Sequence, residues 1–313
     1  MAQEKKKKKR SPYKLASLVL SFGLVALILG LVLKRTSFPV LQTAGPIAAG
    51  EQQMLIKACL LMLIVVVPVL VLTFWFAIRY RESNTKATYK PDWDHNRFAE
   101  ATWWAVPTLL IVALSIMTWK GTFEFDPYKP LASSEKTLKV QVVALDWRWL
   151  FIYPDHKVAS INELHLPVGT PVQFDITSDA PMNSFWIPQL GGQMYAMPGM
   201  GTRLHLQADK IGEYRGSSAN ISGEGFSKMD FMTMATSQTD FDNWLSKANA
   251  SPTLTHDKYH ELAEQSMDEK VYTFGKVEHG LFGDIIGKYM GVDHHGEPLG
   301  EDHGDAESAE HHE

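Results

Sequence analysis

The chain has 313 residues, a formal net charge of −5 and a single cysteine, Cys59. This composition excludes a disulfide-stapled secreted domain and a basic nucleic-acid-binding protein. The charge is uneven, because residues 1–119 hold 15 of the 30 Lys and Arg but 6 of the 35 Asp and Glu, a balance of +9, against −14 for residues 120–313. The two parts are therefore expected to occupy different environments.

The first predicted element is an apolar segment at 15–33, within a basic N-terminal region at 1–49. Its sequence, LASLVLSFGLVALILGLVL, comes after KKKKKR. A basic stretch before an apolar run is typical of both a cleaved secretory signal and an uncleaved membrane anchor. At 19 residues the run is longer than most signal cores, and no small-x-small cleavage site follows it. The pattern favours an anchor and leaves a signal open.

A transmembrane helical hairpin is predicted at 50–120. Its apolar segments, 54–78 and 101–119, are each long enough to cross about 30 Å of hydrocarbon. Tryptophans lie near the ends of the second segment, where indole rings favour the membrane interface. Basic residues concentrate at the N-terminus and in the loop 79–100, so the positive-inside rule places both in the cytoplasm and the chain after 120 outside.

An exported domain is predicted at 121–236. Short segments of alternating polarity, such as TPVQFDITS at 170–178, are separated by Gly- and Pro-rich turns. They indicate an antiparallel Greek-key β-sandwich. Within this domain His165 and His205 alternate with leucines, so both are expected to face solvent.

Two further stretches complete the chain. Apolar residues at helical spacing predict short helices at 237–290. Residues 291–313 are acidic and His-rich, which indicates disorder, with adventitious metal binding as the alternative. The predicted fold class is thus an α+β membrane protein that combines a transmembrane hairpin, an exported β-sandwich and short C-terminal helices.

Two turn-rich stretches of the sandwich carry the functional signal: APMNSFWIPQLGG at 180–192 and YRGSSANISGEGFSKM at 214–229. Their order behind a two-helix hairpin resembles subunit II of the haem-copper oxidases. In that family a cupredoxin-like domain holds the dinuclear copper centre CuA. The first loop of the family gives a His followed by Ser, an aromatic residue and a nearby Pro. The second follows G-x-C-x-E-x-C-G-x-x-H-x-x-M.

This chain matches the frame of the family pattern and departs from it at the ligands. One ligand position keeps its methionine and five hold other residues; in chain order the six are Asn183, Ser218, Asn220, Ser222, Phe226 and Met229. A thiolate-bridged copper pair needs thiolate and imidazole donors, which hydroxyl, amide and phenyl groups do not supply. The chain therefore resembles the cytochrome bo-type ubiquinol oxidases, the branch of the family that works without CuA.

The resemblance implies a multi-pass subunit of a proton-translocating respiratory complex in the bacterial inner membrane, with its C-terminal domain in the periplasm. Such a complex oxidises ubiquinol and reduces oxygen to water. The resemblance implies that this subunit holds no cofactor and no catalytic residue, and that the haems and a single copper belong to subunit I. The expected partners are subunits I and III, ubiquinol through the complex and membrane lipid, but neither cytochrome c nor nucleic acid.

Glu100 is the candidate residue for proton uptake. It lies at the cytoplasmic start of segment 101–119, seven residues before Pro107. The oxidase family has a glutamate at this place, at the mouth of the K pathway into subunit I. An ionisable group at a membrane boundary suits proton collection. The plain alternative is a first-turn acid that is favoured by the helix dipole.

Two other functions fit parts of the sequence. An electron-transfer subunit with CuA is contradicted by the replaced donors. A free-standing copper-binding module would rest on the His-rich tail and on the methionines, of which 7 of 13 lie between 182 and 234. The hairpin and Glu100 favour an oxidase subunit over such a module. Trp147 and Trp149 are expected to pack in the core and its margin rather than to carry electrons.

Overall fold

The structure, a computed structural model, describes residues 30, 38–82, 84–88, 94–133, 135–267 and 269–291. The predicted signal or anchor and the predicted disordered tail lie outside these residues, apart from Gly30 and Gly291. The described part of the first 42 residues contains a short 3-10 helix, Pro39–Leu41. From Thr43 onward the chain forms a second unit, which contains all the elements that follow.

Two long helices, α1 (Pro46–Arg79) and α2 (Arg97–Glu124), form the predicted hairpin. Both are long and apolar enough to cross a membrane. Their large apolar side chains are exposed, including Trp75 and Trp104. Each helix extends beyond its predicted apolar segment, because residues outside the hydrocarbon continue the helix with polar side chains.

The exported part is built from short strands and one further 3-10 helix, Glu224–Lys228. The strands are β1 Leu138–Ala144, β2 Trp149–Tyr153, β3 Val158–Ile161, β4 Glu163–Pro167, β5 Val172–Ser178, β6 Asn183–Trp186, β7 Met194–Ala196, β8 Thr202–Leu206, β9 Gly212–Ser218, β10 Asp230–Thr236, β11 Thr253–Leu254, β12 Tyr272–Phe274 and β13 Lys276–Val277.

Two sheets enclose the core, with strand orders β12-β3-β2-β1-β5-β8 and β4-β10-β9-β6-β7, while β11 and β13 form a separate parallel pair. The predicted sandwich is confirmed, but its predicted antiparallel pairing is wrong in two places. Strand β1 pairs with β5 in parallel, and β4 pairs with β10 in parallel. Alternating polarity shows which face of a strand is buried and carries no information on strand direction.

The core between the sheets is lined by alternate residues of the strands. Val172, Phe174 and Ile176 of β5 are fully buried, as the alternation of segment 170–178 predicts. Phe151 and Phe185 belong to the same cluster, and their rings lie 6.3 Å apart between centroids. A continuous aromatic layer therefore joins the two sheets.

In the C-terminal region the first helix adds to the core between the sheets, and the two later helices pack on the outer face of the first sheet. The predicted short helices are observed as α3 (Gln238–Ala248), α4 (His256–Ala263) and α5 (Leu281–Met290). Strand β12 was not predicted and pairs with β3. Leu150 and Ile152 of β2 pack against residues of α4 and α5. Strand β2 is therefore buried on both faces, which explains its unbroken apolar run, WLFIY.

The predicted exposure of His165 and His205 is wrong, since the two residues are 8% and 5% exposed. His165 stacks on Trp244 of α3 with 4.1 Å between ring centroids. His205 Nδ1 lies 3.0 Å from the carbonyl oxygen of Pro127, which follows α2. Both histidines are covered by elements that are distant in sequence, and alternation within a strand does not reveal such cover.

Candidate functional site

The stretches 180–192 and 214–229, here called the loop pair, meet because β6 and β9 are antiparallel neighbours. Asn183 begins β6 and Ser218 ends β9, and both are buried. Ser218 Oγ lies 3.0 Å from Asn183 Oδ1 and donates to it. Asn183 Nδ2 donates to the carbonyl oxygen of Pro181 at 2.7 Å. Two residues that the sequence separates by 35 positions thus form one buried hydrogen-bonded group.

The next two predicted positions lie at the tip of the second stretch. Asn220 Nδ2 donates to the carbonyl oxygen of Met182 at 2.8 Å, which fastens the two stretches together. Ser222 Oγ is buried without a hydrogen-bond partner. The carbonyl oxygen of Ser222 accepts the indole N–H of Trp147 at 3.3 Å. The Asn220 side chain is therefore engaged with the first stretch, while the Ser222 hydroxyl makes no hydrogen bond.

Phe226 and Met229 complete the set of predicted positions. Phe226 is half-buried within the 3-10 helix Glu224–Lys228. Met229 is 1% exposed and belongs to the core between the sheets. Its carbonyl oxygen accepts the backbone N–H of Ser218 at 3.2 Å and the indole N–H of Trp149 at 3.4 Å. The backbone of Met229 therefore fixes the end of the second stretch to β9 and to the core residue Trp149.

Trp147 shapes the loop pair from the β1–β2 connection. Its backbone has φ 68°, an uncommon conformation for a residue with a side chain. Its ring covers Gly225, where a Cβ atom would lie 2.2 Å from Trp147 Cδ2. Only glycine fits beneath the ring at this distance. The predicted packing role of Trp147 therefore has a specific partner in the loop.

The donor set of the loop pair does not fit a dinuclear copper centre. The hydroxyl of Ser218 is engaged in a hydrogen bond with an amide, and Phe226 offers a phenyl ring. Copper of this kind is held by deprotonated sulfur and neutral imidazole nitrogen. Within the described ranges, no group of three or more His, Cys, Asp or Glu side chains is arranged to hold a metal ion.

Glu100 lies in the first turn of α2, as the sequence predicts. Asn96 caps this helix by accepting the backbone N–H groups of Phe98 and Ala99 at 3.1 and 3.0 Å. Glu100 Oε1 accepts the backbone N–H of Asn96 at 3.3 Å and lies 2.5 Å from His95 Nδ1. The side chain of Glu100 is 34% exposed. The carboxylate is thus both part of the helix cap and open to solvent.

Asp179 is a buried carboxylate that the sequence does not single out, since an Asp after a strand is also typical of an ordinary turn. Its side chain is 1% exposed. Oδ1 accepts from Lys288 Nζ at 2.8 Å and from the Tyr289 hydroxyl at 2.7 Å, and Oδ2 accepts from the Tyr259 hydroxyl at 2.6 Å. These four residues, here called the Asp179 clamp, fasten α4 and α5 to the sandwich. Burial, helped by the hydrogen bond to Asp179, raises the pKa of both tyrosines.

Comparison with known families assigns the exported part to a class. Residues 155–236 match the family described as "Cytochrome C oxidase subunit II, periplasmic domain", and residues 248–292 match the "COX Aromatic Rich Motif". The β-sandwich with its loop pair is therefore the cupredoxin-like domain of an oxidase subunit II. Together with two membrane-length helices, this makes the chain a membrane-anchored protein with a periplasmic domain.

Relatives narrow the assignment. The cytochrome bo(3) ubiquinol oxidase subunit 2 of Pseudomonas aeruginosa is 48% identical over 85% of this chain and 80% of its own length. The protein of the same description from Pseudomonas putida is 44% identical over 92% of each chain. The solved periplasmic domain of subunit II of cytochrome oxidase (CoxB) of Bradyrhizobium japonicum is 20% identical, covering 39% of this chain and 98% of that chain, with a TM-score of 0.36. The chain belongs to the ubiquinol oxidase subunit 2 family, which confirms the resemblance seen in the sequence.

Proposed function

We propose that the chain is subunit II of a proton-translocating respiratory complex that oxidises ubiquinol and reduces oxygen to water. The relatives from both Pseudomonas species are named as subunits of a ubiquinol oxidase. The observation that carries the proposal is the loop pair, where Asn183, Ser218 and Phe226 stand at positions that resemble those of CuA ligands. A subunit with these side chains lacks the copper centre through which cytochrome c donates electrons. A quinol in the membrane donates electrons without that centre.

The proposed partners follow from this assignment. Subunit I would hold the haems and a single copper, and subunits I and III would pack with α1 and α2 in the inner membrane. The apolar side chains that the two helices expose support contacts with other membrane helices and with lipid. The role of this chain is then a scaffold, a periplasmic cap and one proton-uptake carboxylate.

Purification of the intact complex through this subunit tests the proposal. We expect the haem spectrum of a quinol oxidase, one copper per complex and oxygen consumption with ubiquinol but not with reduced cytochrome c. Additional stoichiometric copper in this subunit would contradict the proposal and favour the copper-binding module. Turnover with cytochrome c would favour the CuA subunit.

Glu100 is proposed to collect protons at the cytoplasmic face for subunit I. Its carboxylate is partly exposed and lies at the start of a membrane helix. This position supports taking up protons from bulk water and passing them to a neighbouring subunit in the membrane. The cap contact with Asn96 has to be kept in any test, because its loss would fray α2 for reasons unrelated to protons.

The variant Glu100→Gln satisfies this condition, since the amide oxygen of Gln still accepts the Asn96 N–H while the side chain no longer exchanges a proton. We expect quinol turnover to fall by about tenfold or more, because proton transfer by a positioned side chain contributes about 10²-fold or more. Stopped-flow haem reduction and oxygen consumption measure the effect. The exposed loop carboxylate Glu82 gives the matched control, Glu82→Gln, and equal rates in the two variants would refute the assignment.

A further inference from the structure

A cavity of about 100 Å³ lies where the membrane hairpin joins the exported domain. Its walls come from the start of α1, from residues 125–127 after α2, from residues 192–193 and from β8. Because α1 begins and α2 ends on the side of the periplasmic domain, the cavity lies at the periplasmic boundary of the membrane. Of the described residues that line it, Glu51, Asp126 and His205 carry titratable side chains.

The carboxylate of Glu51 is held at the cavity wall by Gly192. It accepts a hydrogen bond from the backbone N–H of Gly192. A Cβ atom at position 192 would lie 3.0 Å from Glu51 Oε1, so glycine leaves the space that the carboxylate occupies. Two carboxylate oxygens offer about four acceptor positions, and one N–H fills a single one of them. Glu51 therefore retains capacity for further hydrogen bonds at the cavity.

His205 faces the cavity with one nitrogen already committed. Its Nδ1 lies 3.0 Å from the carbonyl oxygen of Pro127, which is only an acceptor, so Nδ1 carries a proton and donates it. In the neutral ring Nε2 is then the acceptor nitrogen. The residue is 5% exposed and lines the cavity, so its ring lies next to the cavity and away from bulk solvent.

A link between Glu51 and His205 would run through water in the cavity. Glu51 and His205, both in the described part of the chain, make no direct ion pair. One water molecule needs about 10–15 Å³ of such a cavity, so the cavity has room for several. Water-bridged hydrogen bonds are nearly as favourable as direct ones. The third titratable residue, Asp126, is left out of the pair because it is exposed and its Oδ1 already accepts the backbone N–H of Tyr128 at 2.9 Å.

We propose that this cavity is a proton-holding site at the periplasmic boundary, in which water joins Glu51 to His205 Nε2 and the two groups share one proton. The exchange is balanced, because a protonated carboxyl group with a neutral imidazole becomes a carboxylate with an imidazolium. Its use rests on the proposed function: protons that a proton-translocating complex carries to the outer face are accepted here before they enter the periplasm.

Infrared difference spectroscopy of the purified complex during a pH titration tests the site directly. We expect one carbonyl band of a protonated carboxyl group that is absent in Glu51→Gln. It should remain in Glu124→Gln, which makes the same change at an exposed carboxylate near the end of α2. A band that persists unchanged in Glu51→Gln would overturn the proposal.

The second variant, His205→Asn, removes Nε2 while its amide N–H still reaches the Pro127 carbonyl. We expect the midpoint of the Glu51 band to shift, and proton release at the outer surface of vesicles to slow several-fold after an electron pulse. An unshifted midpoint in a folded variant would show that the two groups share no proton. Quinol turnover is recorded on the same samples. Its absence in the unmodified complex would refute the proposed function and leave the titration result intact.

Discussion

The loop pair and the Asp179 clamp both bury polar side chains, but they differ in how completely these side chains are hydrogen-bonded. In the clamp, both carboxylate oxygens of Asp179 accept strong donors. In the loop pair, Ser218 has partners, whereas Ser184 Oγ and Ser222 Oγ are buried with none. Unpaired buried hydroxyls oppose folding. The contrast indicates that polar contacts hold the clamp, whereas the loop pair combines the hydrogen bonds of Ser218 and Asn220 with apolar packing beneath Trp147 and around Met229.

The largest expected effect comes from removing the centre of the clamp. In Asp179→Ala the buried hydroxyl of Tyr259 and the hydroxyl of Tyr289 each lose their acceptor. Leaving one buried polar group unpaired costs about 1–3 kcal/mol, so we expect the variant to lose about 2–4 kcal/mol of unfolding free energy. Guanidinium unfolding of the detergent-solubilised chain, followed by tryptophan fluorescence, measures the loss.

Asp175→Ala is the control for this variant, because Asp175 pairs with Arg203 on a half-exposed surface and such a pair contributes about 1 kcal/mol or less. A second readout is the pH profile. The folded protein raises the pKa of Tyr259 and Tyr289, so their contribution is complete below about pH 10 and is lost as pH rises above it. An alkaline profile that Asp179→Ala does not change would place the stabilisation elsewhere.

A smaller effect is expected where packing holds the loop pair. In Gly225→Ala the new methyl carbon would lie 2.2 Å from Trp147 Cδ2, so the ring has to move. Overpacking of this kind costs about 1–3 kcal/mol. Unfolding measurements and the emission wavelength of tryptophan detect the change. Gly201→Ala is the matched control, because its methyl group would meet Ile286 Cδ1 at an ordinary 3.7 Å. Equal stability of the two variants would mean that Trp147 does not hold the loop.

The sequence predicts local features of this molecule better than its long-range contacts. The apolar segments 54–78 and 101–119 lie inside observed helices, because length and hydrophobicity are local properties. The parallel pairing of β1 with β5, the position of β12 and the burial of His165 depend on segments far apart in the chain. Spacing along one strand does not encode such contacts.

The candidate sites follow the same division. The positions of Asn183 and Ser218 came from a resemblance, and the structure adds that their side chains touch. The Asp179 clamp joins residues that lie 80 to 110 positions apart, so no local sequence motif predicts it. The cavity of Glu51 and His205 needs the hairpin to be placed against β8, which no local pattern specifies.

The smallest effect separates two serines of the loop pair. Ser218→Ala leaves the fully buried Asn183 oxygen without its donor, which costs about 1–2 kcal/mol of unfolding free energy. Ser222→Ala removes a buried oxygen that has no partner, so we expect no loss or a slight gain in stability. Both variants delete one hydroxyl from the same loop, and each serves as the control for the other. If Ser222→Ala cost as much as Ser218→Ala, the Ser222 hydroxyl would have a partner in solution. Polar contacts would then contribute more to the loop pair than the hydrogen bonds of Ser218 and Asn220 alone.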